Sequence, residues 1–236
     1  MSRVYIHEFV DVVGTERAAY QRHMTEGWGP IAAATRRQRC FGVFTLVGST
    51  GRWPQVVNLW EFDSWGDLAA DLELELSGPT HRDPALEAWW QEAAPMRTGG
   101  DDRILVAHHD SPGVEDWMAR GGTGAVAYLH ETIRCPPGES ASVLDVIVGP
   151  AAEDHRAFGL ELVGAFRTAM VADDEVIAIW AVPDWPTWAA YEEAAAGGGL
   201  EFLRLWERVS ERVLERRRRL LVDAELSPLR TGVQPG

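Results

Sequence analysis

Two histidines in a repeated motif are the residues of this sequence best suited to chemistry. His7 lies in the motif YIHE and His130 in the motif YLHE, at matching places in two halves of the chain. Histidine exchanges protons near neutral pH, and a tyrosine two residues earlier on the same strand face can donate a hydrogen bond to a developing oxyanion. The motifs predict that His7 or His130 is a catalytic base, with Tyr5 and Tyr128 polarising a substrate carbonyl.

A third polar residue, Asn58, is expected on the same interior face, where its amide would orient a carbonyl or an enolate. Its counterpart in the second half is Ala178, which indicates that the halves have diverged and favours one active pocket and one filled pocket. The substrate-binding wall is predicted to consist of neighbouring aromatic residues and one further histidine: Phe9, Trp60, Phe62, Trp180, Trp28 and His23.

Each of these residues also has a purely structural interpretation. Histidine, tyrosine and asparagine can be buried with their polar atoms bonded to neighbouring elements, and tryptophan packs in cores. Glu8 and Glu131 are expected on the opposite, helix-facing side, bonded to helix groups rather than acting in chemistry. We predict a site without a cofactor, although haem or a metal on the histidines stays open.

One short run, His108-His109-Asp110, has the character of a metal-ligand cluster. Neighbouring residues on a regular strand point to opposite faces, so both histidines could not bind one ion there. At the end of a strand this restriction could relax, but we assign no metal ligands to this run.

The composition limits the class of protein. Apolar residues make up 46% of the chain and charged residues 25%, as in ordinary globular proteins. The net charge of −14 disfavours nucleic acid as a partner, and no apolar run is long enough to cross a membrane. The absence of lysine excludes Schiff-base chemistry. With two cysteines and no signal-peptide pattern, the expected location is the cytoplasm.

The sequence indicates a duplication. Val57–Trp60 recurs as Ile177–Trp180, and Trp65 recurs as Trp185. Turn-rich sequence separates the copies. The predicted domains are a first half at 1–110, a linker at 111–124, a second half at 125–224 and a tail at 225–236.

Hydrophobic periodicity predicts the same order in both halves, namely strand, helix, strand, strand, helix, helix and strand. Predicted strands of the first half cover 3–10, 41–47, 55–62 and 104–108, with helices beginning at Thr15, about 30, Ser64 and Asp83-Pro84. Predicted strands of the second half cover 126–133, 163–171, 175–182 and 220–223, with helices within about 140–158, after Asp184 and over about 200–219. Arg216–Arg219 is predicted to be the solvated end of this last helix.

A βαββαβ unit packs its helices on one face of an antiparallel sheet. Strand alternation places Tyr5, His7 and Phe9 on the other face, together with the aromatic residues of the third strand. Because such a face must be covered, the other half of the chain is expected to cover it. The predicted fold class is α+β, with two tandem ferredoxin-like units whose antiparallel sheets pack face to face as an intrachain pseudo-dimeric α+β barrel.

This arrangement resembles the dimeric α+β barrel superfamily, and within it the NIPSNAP-type proteins. The resemblance is carried by Val4–Phe9 with Gly14 and Tyr20, by Asn58–Trp65, and in the second half by Ile179–Trp185. The superfamily includes cofactor-free isomerases and cyclases, polyketide oxygenases, haem-degrading enzymes and members without known activity. The resemblance therefore implies one of these activities, or none. An arginine that members often carry one turn into the next helix is missing here.

Together these features predict a small-molecule enzyme that isomerises, cyclises or eliminates an apolar, aromatic or polyketide-like metabolite by acid–base chemistry. One alternative is a non-catalytic ligand-binding or scaffold protein, and another is a monooxygenase or a haem-linked activity. The expected partner is a small apolar metabolite, with no nucleic acid and no membrane. A homodimer is not required, because the fused halves can close the barrel themselves.

Overall fold

Alternating apolar residues form eight antiparallel strands that close into one barrel. The computed structural model describes residues 2–77, 83–197 and 212–236. The first-half strands are β1 (Val4–Val12), β2 (Arg39–Leu46), β3 (Gln55–Phe62) and β4 (Arg97–Ala107). The second-half strands are β5 (Ala127–Arg134), β6 (Glu161–Ala169), β7 (Glu175–Val182) and β8 (Glu215–Asp223).

The two halves share one continuous hydrogen-bonded sheet. The strand order is β1-β3-β2-β8-β5-β7-β6-β4, closed from β4 back to β1. The halves meet where β2 pairs with β8, with Phe44 opposite Asp223, and where β4 pairs with β6, with Ile104 opposite Ala169. The predicted α+β class and the intrachain barrel of two ferredoxin-like halves are confirmed.

Helices cover the outside of both half-barrels. In the first half, α1 (Arg17–Arg22) continues through a π-helical segment (His23–Trp28) into α2 (Gly29–Thr35), followed by α3 (Trp65–Glu75) and α4 (Pro84–Ala93). After α5 (Val114–Ala119), the second half has α6 (Ser140–Val146), a π-helical segment (Ile147–Ala151), α7 (Ala152–Ala157), α8 (Trp185–Ala196) and α9 (Pro228–Thr231). α5 lies in the expected linker and α9 in the expected tail. Among the described residues, no helix has the length and apolar character that a membrane span requires.

Side-chain caps fix the starts of three helices where the sequence predicts them. Ser64 Oγ accepts a hydrogen bond from Asp67 N–H at 3.2 Å, and Asp184 Oδ1 accepts one from Thr187 N–H at 2.7 Å. Asp83 similarly caps α4. The expected cap at Thr15 is wrong, because α1 begins only at Arg17, without a side-chain cap.

The predicted helix over about 200–219 is wrong in its described part. Arg216–Arg219 lies in β8, which pairs with β5 along its length, while 200–211 lies outside the described residues. Arginines on a strand alternate between its faces. Arg217 and Arg219 therefore line the end of the barrel, whereas Arg218 binds Glu192 on α8.

The pairing of β1 with β3 corrects the predicted interior face. His7 lies opposite Leu59, and Glu8 lies opposite Asn58. Directly opposed residues share a face of the sheet, so Asn58 lies on the helix side with Glu8. Every residue of β3 is buried, and the sequence pattern therefore could not distinguish its two faces. The predicted interior placement is wrong for these residues, which face the helices: Asn58, Trp60, Phe62 and Trp180.

Candidate functional site

His7 and His130 meet in the centre of the barrel. Their Nε2 atoms lie 3.1 Å apart, and the rings stack with centroids 5.2 Å apart. Neither side chain has exposed surface. Neither Nδ1 atom has a hydrogen-bond partner within the part of the chain that the structure describes. One Nε2 atom therefore donates to the other, which makes the pair a neutral donor and acceptor.

The surroundings keep both histidines uncharged. Burial lowers the pKa of His7, and the neighbouring His130, Arg103 and Arg219 lower it further. Burial together with the same two arginines lowers the pKa of His130 to about 3. A catalytic role for either histidine stays a prediction, and the geometry gives a substrate no surface by which to reach them.

The two tyrosines of the repeated motif donate to carboxylates inside the barrel. Tyr5 Oη donates to Glu61 Oε2 at 2.6 Å, and Tyr128 Oη donates to Asp223 Oδ2 at 2.5 Å. Both tyrosines are fully buried. Their hydroxyl protons are thus held within the fold, and oxyanion stabilisation by either one stays a prediction.

A cleft of about 170 Å³ lies between the first-half helices and the outer face of the sheet. Its apolar wall consists of Ile6, Met24, Trp28, Trp60, Leu86, Trp89 and Trp90. Its polar groups are Glu8, Gln38, Asp71, Glu75 and Asp102. Trp28 and Trp60 were expected to bind substrate and do line a cavity, but this cavity lies outside the barrel.

The π-helical segment between α1 and α2 positions one wall of this cleft. Trp28 Nε1 donates to Gln38 Oε1 at 2.8 Å, which fixes the indole ring. Behind the wall, His23 stacks on Trp89 with ring centroids 4.6 Å apart. His23 therefore supports the cleft through Trp89, while its predicted contact with substrate stays a prediction. Phe9 contributes instead to the barrel interior.

Glu8 is one of the four carboxylates that line the cleft. Its Oε2 atom accepts hydrogen bonds from Trp60 Nε1 at 2.9 Å and Asn58 Nδ2 at 3.1 Å. Burial raises the pKa of Glu8, and the charge of Asp102 raises it further, to about 7. A carboxyl group with this pKa exchanges protons efficiently at neutral pH. The prediction that Glu8 bonds to helix groups is wrong, because its partners lie on β3.

The second half repeats the carboxylate and tryptophan but not the cleft. Trp180 Nε1 donates to Glu131 Oε2 at 3.0 Å, and Arg216 forms an ion pair with the same carboxylate. Burial raises the pKa of Glu131, but the charges of Arg216 and His155 and the hydrogen bonds from Trp180 and Arg216 together outweigh burial and lower it. His155 stacks on Trp180 with ring centroids 3.8 Å apart and bonds to Tyr191 Oη. Glu131 is thereby held as a buried anion within a packed core.

The sequence analysis gave Glu8 no role in chemistry, because it placed the reactive groups on the interior face with the histidines. The signal for Glu8 was available in the repeat: each half carries a glutamate and a tryptophan that the strand pairing brings to one face. The difference between Asn58 and Ala178 marked the half in which the polar partner was kept.

The possible metal cluster lies just beyond the end of β4. Ligand atoms of His108, His109 and Asp110 all lie within 4.8 Å of one another, because the regular strand has ended at Ala107. His108 Nε2 also contacts Asp145 Oδ1 at 3.2 Å. This group is separate from the cleft and contributes no residue to it.

No family model and no curated protein matches the sequence. Among solved structures, an anthrone oxidase-like protein aligns with 100% of this chain and 96% of its own, at 16% identity and a TM-score of 0.63. A candidate monooxygenase from Fusobacterium nucleatum aligns with 95% of this chain and 93% of its own, at 9% identity and a TM-score of 0.62. NIPSNAP-like domain proteins from Burkholderia xenovorans match 46% and 47% of this chain, at TM-scores of 0.37 and 0.36.

The two longer matches share the fold of this chain over nearly its whole length. The fold of this protein is therefore a dimeric α+β barrel with both halves in one chain, as the sequence motifs indicated. Fold similarity at this identity does not assign an activity.

Proposed function

We propose that this protein is an enzyme that removes a proton from a small aromatic metabolite bound in the first-half cleft, with Glu8 as the general base. The proposal depends on one observation. Glu8 lies at the wall of an aromatic cleft, and the hydrogen-bond donors that the described residues bring to its carboxylate are the neutral groups of Trp60 and Asn58. The equivalent Glu131 is paired with Arg216 and has no exposed surface.

The cleft favours a neutral, flat substrate. Trp28, Trp89 and Trp90 offer aromatic surface on which a ring can stack. Glu75 and Asp102 also line the cleft, and their negative charge would repel a carboxylate or phosphate group. An aromatic ketone or a phenol combines a flat apolar body with an acidic C–H or O–H bond.

Glu8 would take that proton on its free oxygen, Oε1, which accepts no hydrogen bond from the described residues. Trp60 and Asn58 would hold the carboxylate through Oε2 during the transfer, so they act as positioning residues. Return of the proton to a different atom of the substrate gives isomerisation, and loss of a leaving group gives elimination. Neither outcome requires a cofactor.

A second candidate function, monooxygenation, uses the same base. It is favoured by the similarity to an anthrone oxidase-like protein and to a candidate monooxygenase. Deprotonation of a ring CH₂ group would give an electron-rich anion that reacts with O₂. The overall change from CH₂ and O₂ to C=O and H₂O balances, because the substrate supplies all four electrons.

The test is turnover of anthrone and a panel of aromatic ketones and phenols, followed by absorbance and with an oxygen electrode. We expect Glu8→Gln to lower kcat by about 10²–10⁴-fold while ligand binding is retained. Glu193→Gln carries the same charge change on the exposed surface of α8 and should leave kcat unchanged. Oxygen consumption would select monooxygenation.

Two outcomes would overturn the assignment of Glu8. Full turnover by Glu8→Gln would show that another group is the base. Tight binding of the aromatic probes without turnover of any would instead support a non-catalytic ligand-binding protein.

A further inference from the structure

A second cavity opens at the end of the barrel, away from the cleft. Its volume is about 750 Å³, and we call it the barrel mouth. It is lined by Phe9, Thr50, Gly51, Arg52, Gln55, Asp101, Arg103, Thr132, Arg134, Glu175, Glu215, Arg217, Arg218 and Arg219. Six arginines and three carboxylates line it, in a protein whose net charge is −14. Three of these arginines pair with acids outside the lining: Arg52 with Asp11, Arg134 with Asp174 and Arg218 with Glu192.

The duplication makes two of these arginines equivalent. Arg103 on β4 lies opposite His7, and Arg219 on β8 lies opposite His130. The guanidinium carbons of Arg103 and Arg219 lie over the Phe9 ring, at 5.6 and 5.1 Å from its centroid. The two halves therefore present matching cations to one aromatic floor.

Of these two arginines, Arg103 is the one that forms ion pairs among the described residues. Its guanidinium forms ion pairs with Glu175, at 3.1 Å, and with Asp101. Glu175 belongs to the second half and Asp101 to the first. The pseudo-two-fold arrangement predicts an equivalent pair of carboxylates around Arg219.

The sequence replaces both of those carboxylates. Asp11 on β1 and Arg134 on β5 occupy equivalent positions in the two halves. Gln55 pairs with Asp11, and Glu175 pairs with Arg134. Gln55 is therefore the first-half equivalent of Glu175. By the same comparison of strand pairing, Arg217 stands in the place of Asp101.

Arg219 is left without an acidic partner among the described residues. Its one hydrogen bond goes from Nη1 to Thr132 Oγ1, at 3.3 Å. Gln55 Nε2 donates to Asp11 instead, and Arg217 binds Glu215. Burial lowers the pKa of Arg219, and the like charges of Arg217 and Arg103 lower it further, against a smaller opposing effect of the Glu175 charge. An incoming anion would relieve this repulsion.

We propose that the barrel mouth binds a compact polyanion, an oxyanion with at least two negative oxygens, with Arg219 as its principal ligand. Arg217 and Arg103 add positive charge, and Thr132 supplies a hydroxyl at the same place. Guanidinium groups suit this chemistry because their planar N–H groups bind two oxygens at once. The shared chemistry fits a phosphate ester or a polycarboxylate. The site is independent of the cleft and of its proposed activity.

The test is isothermal titration of the full chain with pyrophosphate and with citrate at constant ionic strength. Binding of pyrophosphate alone would identify phosphate esters as the source, and binding of citrate alone would identify polycarboxylates. We expect Arg219→Gln to weaken binding at least tenfold. Arg156→Gln, with the same charge change on the exposed side of α7, should bind as the parent protein does.

Gln55→Glu gives a second, independent test, because it keeps every arginine. The new carboxylate would form with Arg219 an ion pair like the one between Glu175 and Arg103. It would therefore compete with the anion for Arg219. We expect at least a tenfold loss of affinity without loss of folding. The proposal is overturned if the parent protein binds neither probe at millimolar concentration, or if Gln55→Glu and a folded Arg219→Gln both bind as tightly as the parent.

Discussion

Glu8 and Glu131 face the helices from the same position of their half-barrels, yet Glu131 forms an ion pair with Arg216 and Glu8 forms none with the residues that the structure describes. Both carboxylates accept a hydrogen bond from a tryptophan at nearly equal distance, 2.9 Å in the first half and 3.0 Å in the second. The duplication thus preserved the carboxylate in both halves and changed its charge partner in one.

The pH dependence of turnover should respond to Asp102. Burial is the main reason that the pKa of Glu8 is about 7, and the Asp102 charge adds to it. A general base works when ionised, so activity should rise with pH through this pKa. Asp102→Asn removes the added charge, lowers the pKa of Glu8, and should move the rising limb of kcat/KM to lower pH. An unchanged pH profile would contradict Glu8 as the base.

The paired histidines should make the fold sensitive to acid. Their folded pKa values lie below the unfolded value of about 6.5, and that of His130 is about 3. The unfolded chain therefore binds more protons below pH 6.5, and stability falls with a slope of up to about 1.4 kcal/mol per pH unit for each histidine. We expect His7→Gln with His130→Gln to remove this slope.

Urea unfolding between pH 4 and 7 measures the effect. The raised pKa values of Glu8 and Asp223, both about 7, act in the opposite direction over this range. The informative quantity is thus the difference in unfolding free energy between parent and double variant, from which both acids cancel. A difference that does not vary with pH would contradict the neutral pair.

The second half should depend on the ion pair beneath α8. Arg216→Met leaves the Glu131 carboxylate buried without its charge partner, and we expect a loss of about 3–5 kcal/mol in unfolding free energy. Adding Glu131→Gln removes the stranded charge and should recover most of that loss. Denaturant unfolding of both variants checks this, and equal instability of the single and double variants would argue against it.

Two glycines should be required by the packing of the barrel. A Cβ atom at Gly42 would overlap the Phe44 ring, and one at Gly164 would overlap the Phe166 ring. These rings are buried in the interior, so each glycine-to-alanine change should cost about 1–3 kcal/mol. Gly99→Ala is the matched control, because no atom of the described part of the chain lies within 4 Å of its Cβ position. If thermal unfolding shows the same stability for all three variants, this account is contradicted.

Local patterns in the sequence predicted much of the fold. The range of β3 agrees with the prediction, 55–62, since turn residues bound it on both sides. Asp184 and Ser64 were correctly predicted as caps because their side chains act on the backbone three residues away. The duplication, together with an apolar second face on the first strand, was enough to predict closure of the barrel.

The candidate site could not be predicted in the same way, because it depends on pairing between distant strands. The alternation of β3 fits either face, and only the ladder with β1 places Asn58 beside Glu8. Only the last part of β8, 220–223, was predicted as a strand, for a related reason. Its charged first half has no apolar alternation, and pairing with β5 makes it a strand.

The continuous chain through both halves has a genetic consequence. In a homodimer one codon specifies two symmetric positions, so any substitution appears in both subunits at once. Here the codons for residues 8 and 131, or 55 and 175, mutate separately. Symmetry can be broken one residue at a time, and a single gene can keep an open cleft in one half while the other half becomes a solid support for it.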